Sequence, residues 1–142
     1  MSNVPVVEKK YLSMKQEHEE LLDMIKDLLM KDLSARVPYG VKYVRNSWNY
    51  DTDQELSVVE TLECVDKDGY IDHRRVYTVE DIKPYLFPLS SMTEEQKKEY
   101  YGTFSLSGDI SGAVDFYNKH HLDWRGLIPM GLARNATGKN IY

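Results

Sequence analysis

The chain has 142 residues and a mass of 16.6 kDa, the size of one domain, and with 42% hydrophobic and 29% charged residues it is neither collagen-like, low-complexity nor wholly disordered. A net charge of −5 argues against general nucleic-acid binding. The single cysteine, Cys64, excludes an internal disulfide and any zinc site built on several thiolates.

Residues 1–10 lack the charged-then-apolar order of a secretory signal. The spacing of Met14, His18, Leu21, Leu22, Ile25, Leu28, Leu29 and Leu33 in steps of three and four predicts an amphipathic helix over residues 14–33. Ser13 and Gln16 form a capping-box pattern at its start, and Pro38 disfavours helix in the residue before it, which sets the end near residues 34–36. Three strand-like stretches follow, at residues 41–48, 56–65 and 70–78, with the polar segment 49–54 and the Asp68-Gly69 turn signal between them. They read as a three-stranded antiparallel meander covered on one face by the long helix. Pro84 and Pro88 bracket an apolar, non-helical crossing. Thr93 and Gln96 form a second capping box, opening a short helix to about residue 101. Residues 102–112 read as a loop, 113–122 as a third helix, 124–133 as an irregular apolar segment, and 135–142 as a tail. The expected fold class is therefore α+β: a long N-terminal helix on a three-stranded meander, two short helices and an irregular C-terminal segment. It forms one domain over residues 1–142, with 1–12 and 135–142 flexible or peripheral.

Charge is unevenly distributed. Residues 37–68 hold seven acidic side chains against three basic ones, whereas residues 111–142 hold four basic against two acidic. Tyrosine is abundant, with 11 residues, which suits half-buried packing and contact surfaces.

Few groupings carry chemistry. Aligning Asp66-Lys67-Asp68-Gly69 with a calcium loop puts Arg75 at the closing ligand position, so the string reads as a turn. His120 and His121 are adjacent and point apart on a helix, so they do not share a metal. His121 with Asp123 has the composition of an oriented base, but no nucleophile motif accompanies it. No glycine-rich phosphate loop is present. These absences predict no catalytic residues, no metal and no cofactor. The best anion-binding candidates are His73 and Arg75, sharing one strand face, with Lys83 and Arg125. The bland alternative is that such charges are neutralised within the domain.

Three strings, residues 32–41 (DLSARVPYGV), 82–96 (IKPYLFPLSSMTEEQ) and 125–133 (RGLIPMGLA), together resemble a family of small proteins of Bacteroides-type gut bacteria, their phages and prophages. The likeness runs from about residue 28 onward, with residues 44–74 matching only in character, and the ending at residues 136–142 is also similar. Ser34 stands where that family commonly has cysteine, which weakens any catalytic thiol there. The family has no assigned activity, so the resemblance implies context only: a phage or mobile-element protein acting in a bacterial cytoplasm.

The resulting expectation is a non-enzymatic accessory protein that binds and modulates a host protein, as a host-defence antagonist would. Arg36, Tyr39 and Tyr85 are its expected partner contacts, and the N-terminal helix its expected homodimer contact. The alternatives are sequestration of a cyclic nucleotide or similar phosphate-containing immune signal through His73, Arg75, Lys83 and Arg125, and a minor virion or assembly component. No membrane association is expected, since the late apolar stretch of seven residues falls far short of the roughly 20 a span requires.

Overall fold

A computed structural model describes residues 6–107 and 110–142. The protein is α+β. Helix α1 (Val6–Arg36) leads into a short 3-10 turn, Val37–Tyr39, and then strands β1 (Lys42–Asn49) and β2 (Gln54–Thr61). Strand β3 (Lys83–Pro88), helices α2 (Glu94–Ser107) and α3 (Ile110–Lys119), and two-residue strands β4 (Leu122–Asp123) and β5 (Arg134–Asn135) complete the chain.

The N-terminal helix is longer than its apolar periodicity indicated. It is helical from Val6, so Ser13 lies in its interior rather than at a cap, and Gln16 instead reaches Glu20 one turn on. Residues 1–5 of the expected peripheral segment lie outside the described residues. Thirty-one residues give a rod about 46 Å long. Only its last third enters the body: Leu29 and Leu33 are in the core, while every side chain from residue 12 to residue 24 is exposed.

β1 and β2 pair antiparallel along their whole length, as expected for a hairpin turning at residues 50–53. The third strand corrects the meander. Residues 70–78 form no strand; they make only the isolated bridges Val65↔Ile71 and Tyr70↔Thr78. Asp66 and Gly69 do form the tight turn the sequence indicates, with Gly69 at φ +88°. Immediately afterwards Asp72 and His73, both with positive φ, turn the chain again, and Arg74 N–H donates to Ile71 O. The Asp72 carboxylate accepts the N–H groups of Glu63 and Cys64 and the Tyr43 hydroxyl. A side chain thus takes donors that a pairing strand would otherwise satisfy.

The strand beside β1 is the proline-bracketed segment β3. It pairs antiparallel with β1 at residues 83 and 84 and parallel with β4 and β5, giving the order β2-β1-β3-β4 with β5 also on β3. Pro84 and Pro88 lie at the two ends of β3, where a missing N–H costs little of the ladder. Between them, Phe87 N–H donates to His121 O and Leu86 O accepts Ala136 N–H. Neighbouring residues of a strand aim these groups at opposite edges, so β3 is held from both sides.

The main core gathers Leu29 and Leu33 of α1, Val41, Tyr43, Ile71, Leu86 and Leu127. Val44, one residue from Tyr43 and hence on the other face of β1, packs with Tyr85 and Ala136 in a second cluster. The expected tail is therefore part of the fold. Ala136 is buried, and the Tyr142 hydroxyl accepts Lys42 N–H and donates to Tyr85 O.

The capping box at α2 forms as read: Thr93 N–H donates to Gln96 Oε1 at 3.0 Å, and Gln96 N–H to Thr93 Oγ1 at 3.1 Å. The helix then passes through Gly102, so the expected loop is helical to Ser107; Gly108 and Asp109 lie outside the described residues. α3 ends at Lys119, before Leu122 joins β3 as β4. α2 and α3 meet through rings, with Tyr100 stacked on Tyr117 and tilted on Phe116. Tyr70, Tyr77, Tyr100 and Tyr117 are half-buried, whereas Tyr39, Tyr50, Tyr101 and Tyr142 are exposed. Among the described residues no helix is long and apolar enough to cross a membrane.

Candidate binding surfaces

Of the motif side chains, Arg36 and Arg125 converge inside the molecule, on Asp32. Asp32 and Arg36 are one helical turn apart on α1, and their side chains are fully buried, with Arg36 Nε donating to Asp32 Oδ2 at 2.9 Å. Arg36 NH2 donates to Leu122 O, and its NH1 has no partner. Arg125 Nε donates to the other oxygen, Asp32 Oδ1, at 3.1 Å, while its guanidinium lies 4.1 Å from the Trp124 ring. A buried carboxylate holding two guanidinium groups joins α1 to the segment after α3. It locks the fold rather than offering a charge to a ligand. Arg36 therefore lies nowhere on a partner surface. Tyr85 is likewise buried in β3, and only Tyr39 of the expected partner contacts is exposed.

His121 and Asp123 are not a catalytic pair. Asp123 accepts the N–H groups of Leu127 and Ile128, one on each oxygen, and so fixes the following loop. The His121 ring stacks on Tyr142 with centroids 3.7 Å apart, and its buried Nδ1 has no partner. Burial first, and the Arg36 charge second, push His121 down to about 4. It is a neutral packing residue near neutral pH. Burial also raises the Tyr142 hydroxyl to about 12.

The four expected anion-binding residues do not form one site. His73 and Arg75 sit on the loop between β2 and β3, exposed and without an ion pair among the described residues. Neither belongs to a strand, so the expected shared face does not exist. Lys83 lines an apolar groove with Leu22, Ile25 and Leu132, whereas Arg125 lines a different one on the helix. The neighbouring Arg74 approaches Glu60 at 3.6 Å. Glu60 also accepts Arg45 and the Tyr43 hydroxyl. The Arg45 hydrogen bond is the main reason that its carboxyl is held below the usual carboxylate range. Burial and two carboxylate acceptors, Asp72 and Glu60, raise the Tyr43 phenol. Arg45 and Arg74 are thus paired with Glu60, whereas His73 and Arg75 beside them are left exposed. Among the described residues no cluster of three or more histidine, cysteine or acidic side chains has the arrangement of a metal site.

Among the described residues two large apolar or aromatic surfaces stand open to solvent. The first is the far end of the β1–β2 hairpin. Tyr50 is 89% exposed and Trp48 47% exposed, and Leu56 and Val59 are also open to solvent. Asp51, Asp53 and Glu55 surround them, and residues 46–56 contain no basic side chain. Trp48, Tyr50 and Tyr77, with Asn46, Ser47 and Glu55, line a cleft of about 380 Å³. Sequence reading registered the acidity of this region but not the aromatic cleft, because Tyr77 arrives from the loop between β2 and β3. The second surface is the exposed length of α1, where Met14, Leu21 and Met24 are 63%, 53% and 68% exposed. It continues into a groove of about 520 Å³ lined by Leu21, Met24, Ile25, Leu28, Arg125 and Met130. The alternation that predicted the helix does mark this face, but periodicity does not tell whether an apolar face is covered.

Comparison with protein-family models, with curated proteins and with solved structures returns no match for the chain.

Proposed function

We propose that the protein is a non-enzymatic binding module whose hairpin tip docks on a basic protein surface. The observation that carries this reading is the tip itself: Trp48 and Tyr50 stand exposed in a segment, residues 46–56, that holds Asp51, Asp53 and Glu55 and no basic residue. Tryptophan and tyrosine are the residue types that most often dominate interface energetics. A concentrated negative charge speeds encounter with a positive partner and excludes negative ones. In the phage setting that the sequence resemblance implies, such a partner is a host protein.

The reading that assigns a phosphate-containing ligand is less well supported, because its four cations are dispersed and Arg125 is engaged by Asp32. The test places a photo-crosslinking amino acid at Tyr50 and, as a control, at Tyr101, which is also exposed. The expected result in bacterial lysate is a discrete adduct with a basic protein from position 50 only. The adduct disappears in Trp48→Ala and weakens as salt is raised. An adduct pattern unaffected by Trp48→Ala and by salt would remove the proposal.

A further inference from the structure

The exposed part of α1 carries a spacing stricter than an ordinary amphipathic helix needs. Met14, His18, Leu21, Ile25 and Leu28 follow one another in steps of four, three, four and three, and the series extends upstream to Val7 and Tyr11 and downstream to Asp32. That is a heptad seam of period 3.5, the pattern that seats side chains into the holes of another helix. It stops at Asp32, which the body covers. Every side chain from residue 12 to residue 24 is exposed, with the body first alongside at Leu21, Leu22 and Met24, so the helix keeps apolar side chains in water for several turns. An isolated helix of that length is marginal in water and draws its stability from packing of its apolar face.

The occupant is specified by the molecule's own two halves. Around Leu21–Leu28 the seam has a side wall, Met130 and Arg125, and forms a groove; around Met14–His18 it is a bare rod. Bare rod and groove lie about one heptad apart on the same helix. An antiparallel pair of copies lays each rod in the other's groove, seating Met14 against the partner's Ile25 and His18 against the partner's Leu21. At the flanking positions Glu17 then lies beside the partner's Met24, Lys15 beside the partner's Leu22, and Lys10 beside the partner's Lys31. A parallel pair in register would instead leave groove against groove and rod against rod. The antiparallel contact uses the same patch on both copies and closes on itself.

We infer that the protein is a homodimer joined by an antiparallel coiled coil between the α1 helices, with groove and rod exchanged between copies. This surface is distinct from the hairpin tip, so the dimer carries two tips.

Light scattering coupled to size exclusion reads the claim directly. The native chain is expected at twice 16.6 kDa, Leu21→Glu at the single mass, and Val76→Glu, another exposed apolar site, at twice the mass. Leu21 is exposed, so Leu21→Glu keeps the body folded, which circular dichroism and the melting temperature verify. In a Cys64→Ser background, mixing Met14→Cys chains with Ile25→Cys chains is expected to give a disulfide between the two kinds. A monomeric native protein, a dimer indifferent to Leu21→Glu, or a disulfide formed only between two Met14→Cys chains would each overturn the inference. Because the tip is read by its own cross-link, a monomer that still gives the Tyr50 adduct sinks the dimer and leaves the binding reading standing.

Discussion

Asp32 is the side chain on which the most depends. It is fully buried, it binds two guanidinium groups, and one of them, Arg36, is itself fully buried. Removing the carboxylate leaves Arg36 with an uncompensated charge in a site that excludes water, whereas removing Arg125 leaves the Asp32–Arg36 pair intact. Asp32→Ala is therefore expected to cost about 3–5 kcal/mol and Arg125→Ala about 1–2 kcal/mol, as read by urea denaturation; equal losses would contradict this account of the cluster. His121 makes a second prediction, in pH. Its imidazole titrates near 4 in the fold against an unperturbed value near 6.5, so the unfolded chain takes up the proton first. The stability it contributes is complete above about pH 6.5 and is lost as pH falls toward about 4, by about 3 kcal/mol at most. Thermal melts across this range should show the loss, and His121→Phe, which keeps a ring against Tyr142 but cannot be protonated, should flatten it. The sequence contained both histidine and aspartate but not their separation. Asp123 is committed to the N–H groups of residues 127 and 128 by the path of the loop, which no local pattern reveals.

At the scale of elements, local chemistry was legible where the fold leaves it in charge. The capping box at Thr93 and Gln96 forms because the preceding segment is a turn that frees the first helical N–H groups. The same pattern at Ser13 and Gln16 has no such ends to cap, because the helix already began upstream. Thr93→Ala is accordingly expected to lower stability by about 1 kcal/mol, and Ser13→Ala to change it little; denaturant midpoints compare the two. The β1–β2 hairpin was legible for a similar reason, since a polar segment separates two β-branched runs. The third strand was not. Residues 70–78 have strand composition, yet Asp72 turns them aside, while β3 between its prolines is a strand because β1, β4 and β5 supply partners from distant parts of the chain. Pairing between segments so far apart leaves no trace in composition or period. Gly69 marks where the loop meets α1: its φ of +88° and its approach to Lys26 disfavour any side chain. Gly69→Ala is expected to destabilise by about 1 kcal/mol, again read as a midpoint shift.

Across the whole molecule, polar chemistry turns inward and contact surfaces turn outward. The motif arginines are both ion-paired with Asp32, Asp123 holds backbone, and His121 is neutral and stacked. The large apolar and aromatic side chains at the hairpin tip and along the free length of α1 face solvent. Composition already suggested this division through its tyrosine content and acidic middle segment, but only the assembled chain separates rings that pack α2 on α3 from those left open at residues 48 and 50. Two tips on one dimer would strengthen attachment to a repeated or multimeric target through effective concentration, without any new contact. The most direct measurement of the central claim compares partner capture by two variants of matched thermal stability, Trp48→Ala/Tyr50→Ala and His121→Phe. The account predicts that the tip variant loses capture and the His121 variant retains it. Capture that survives loss of the tip and vanishes with His121 would contradict the account and move the working site into the buried cluster.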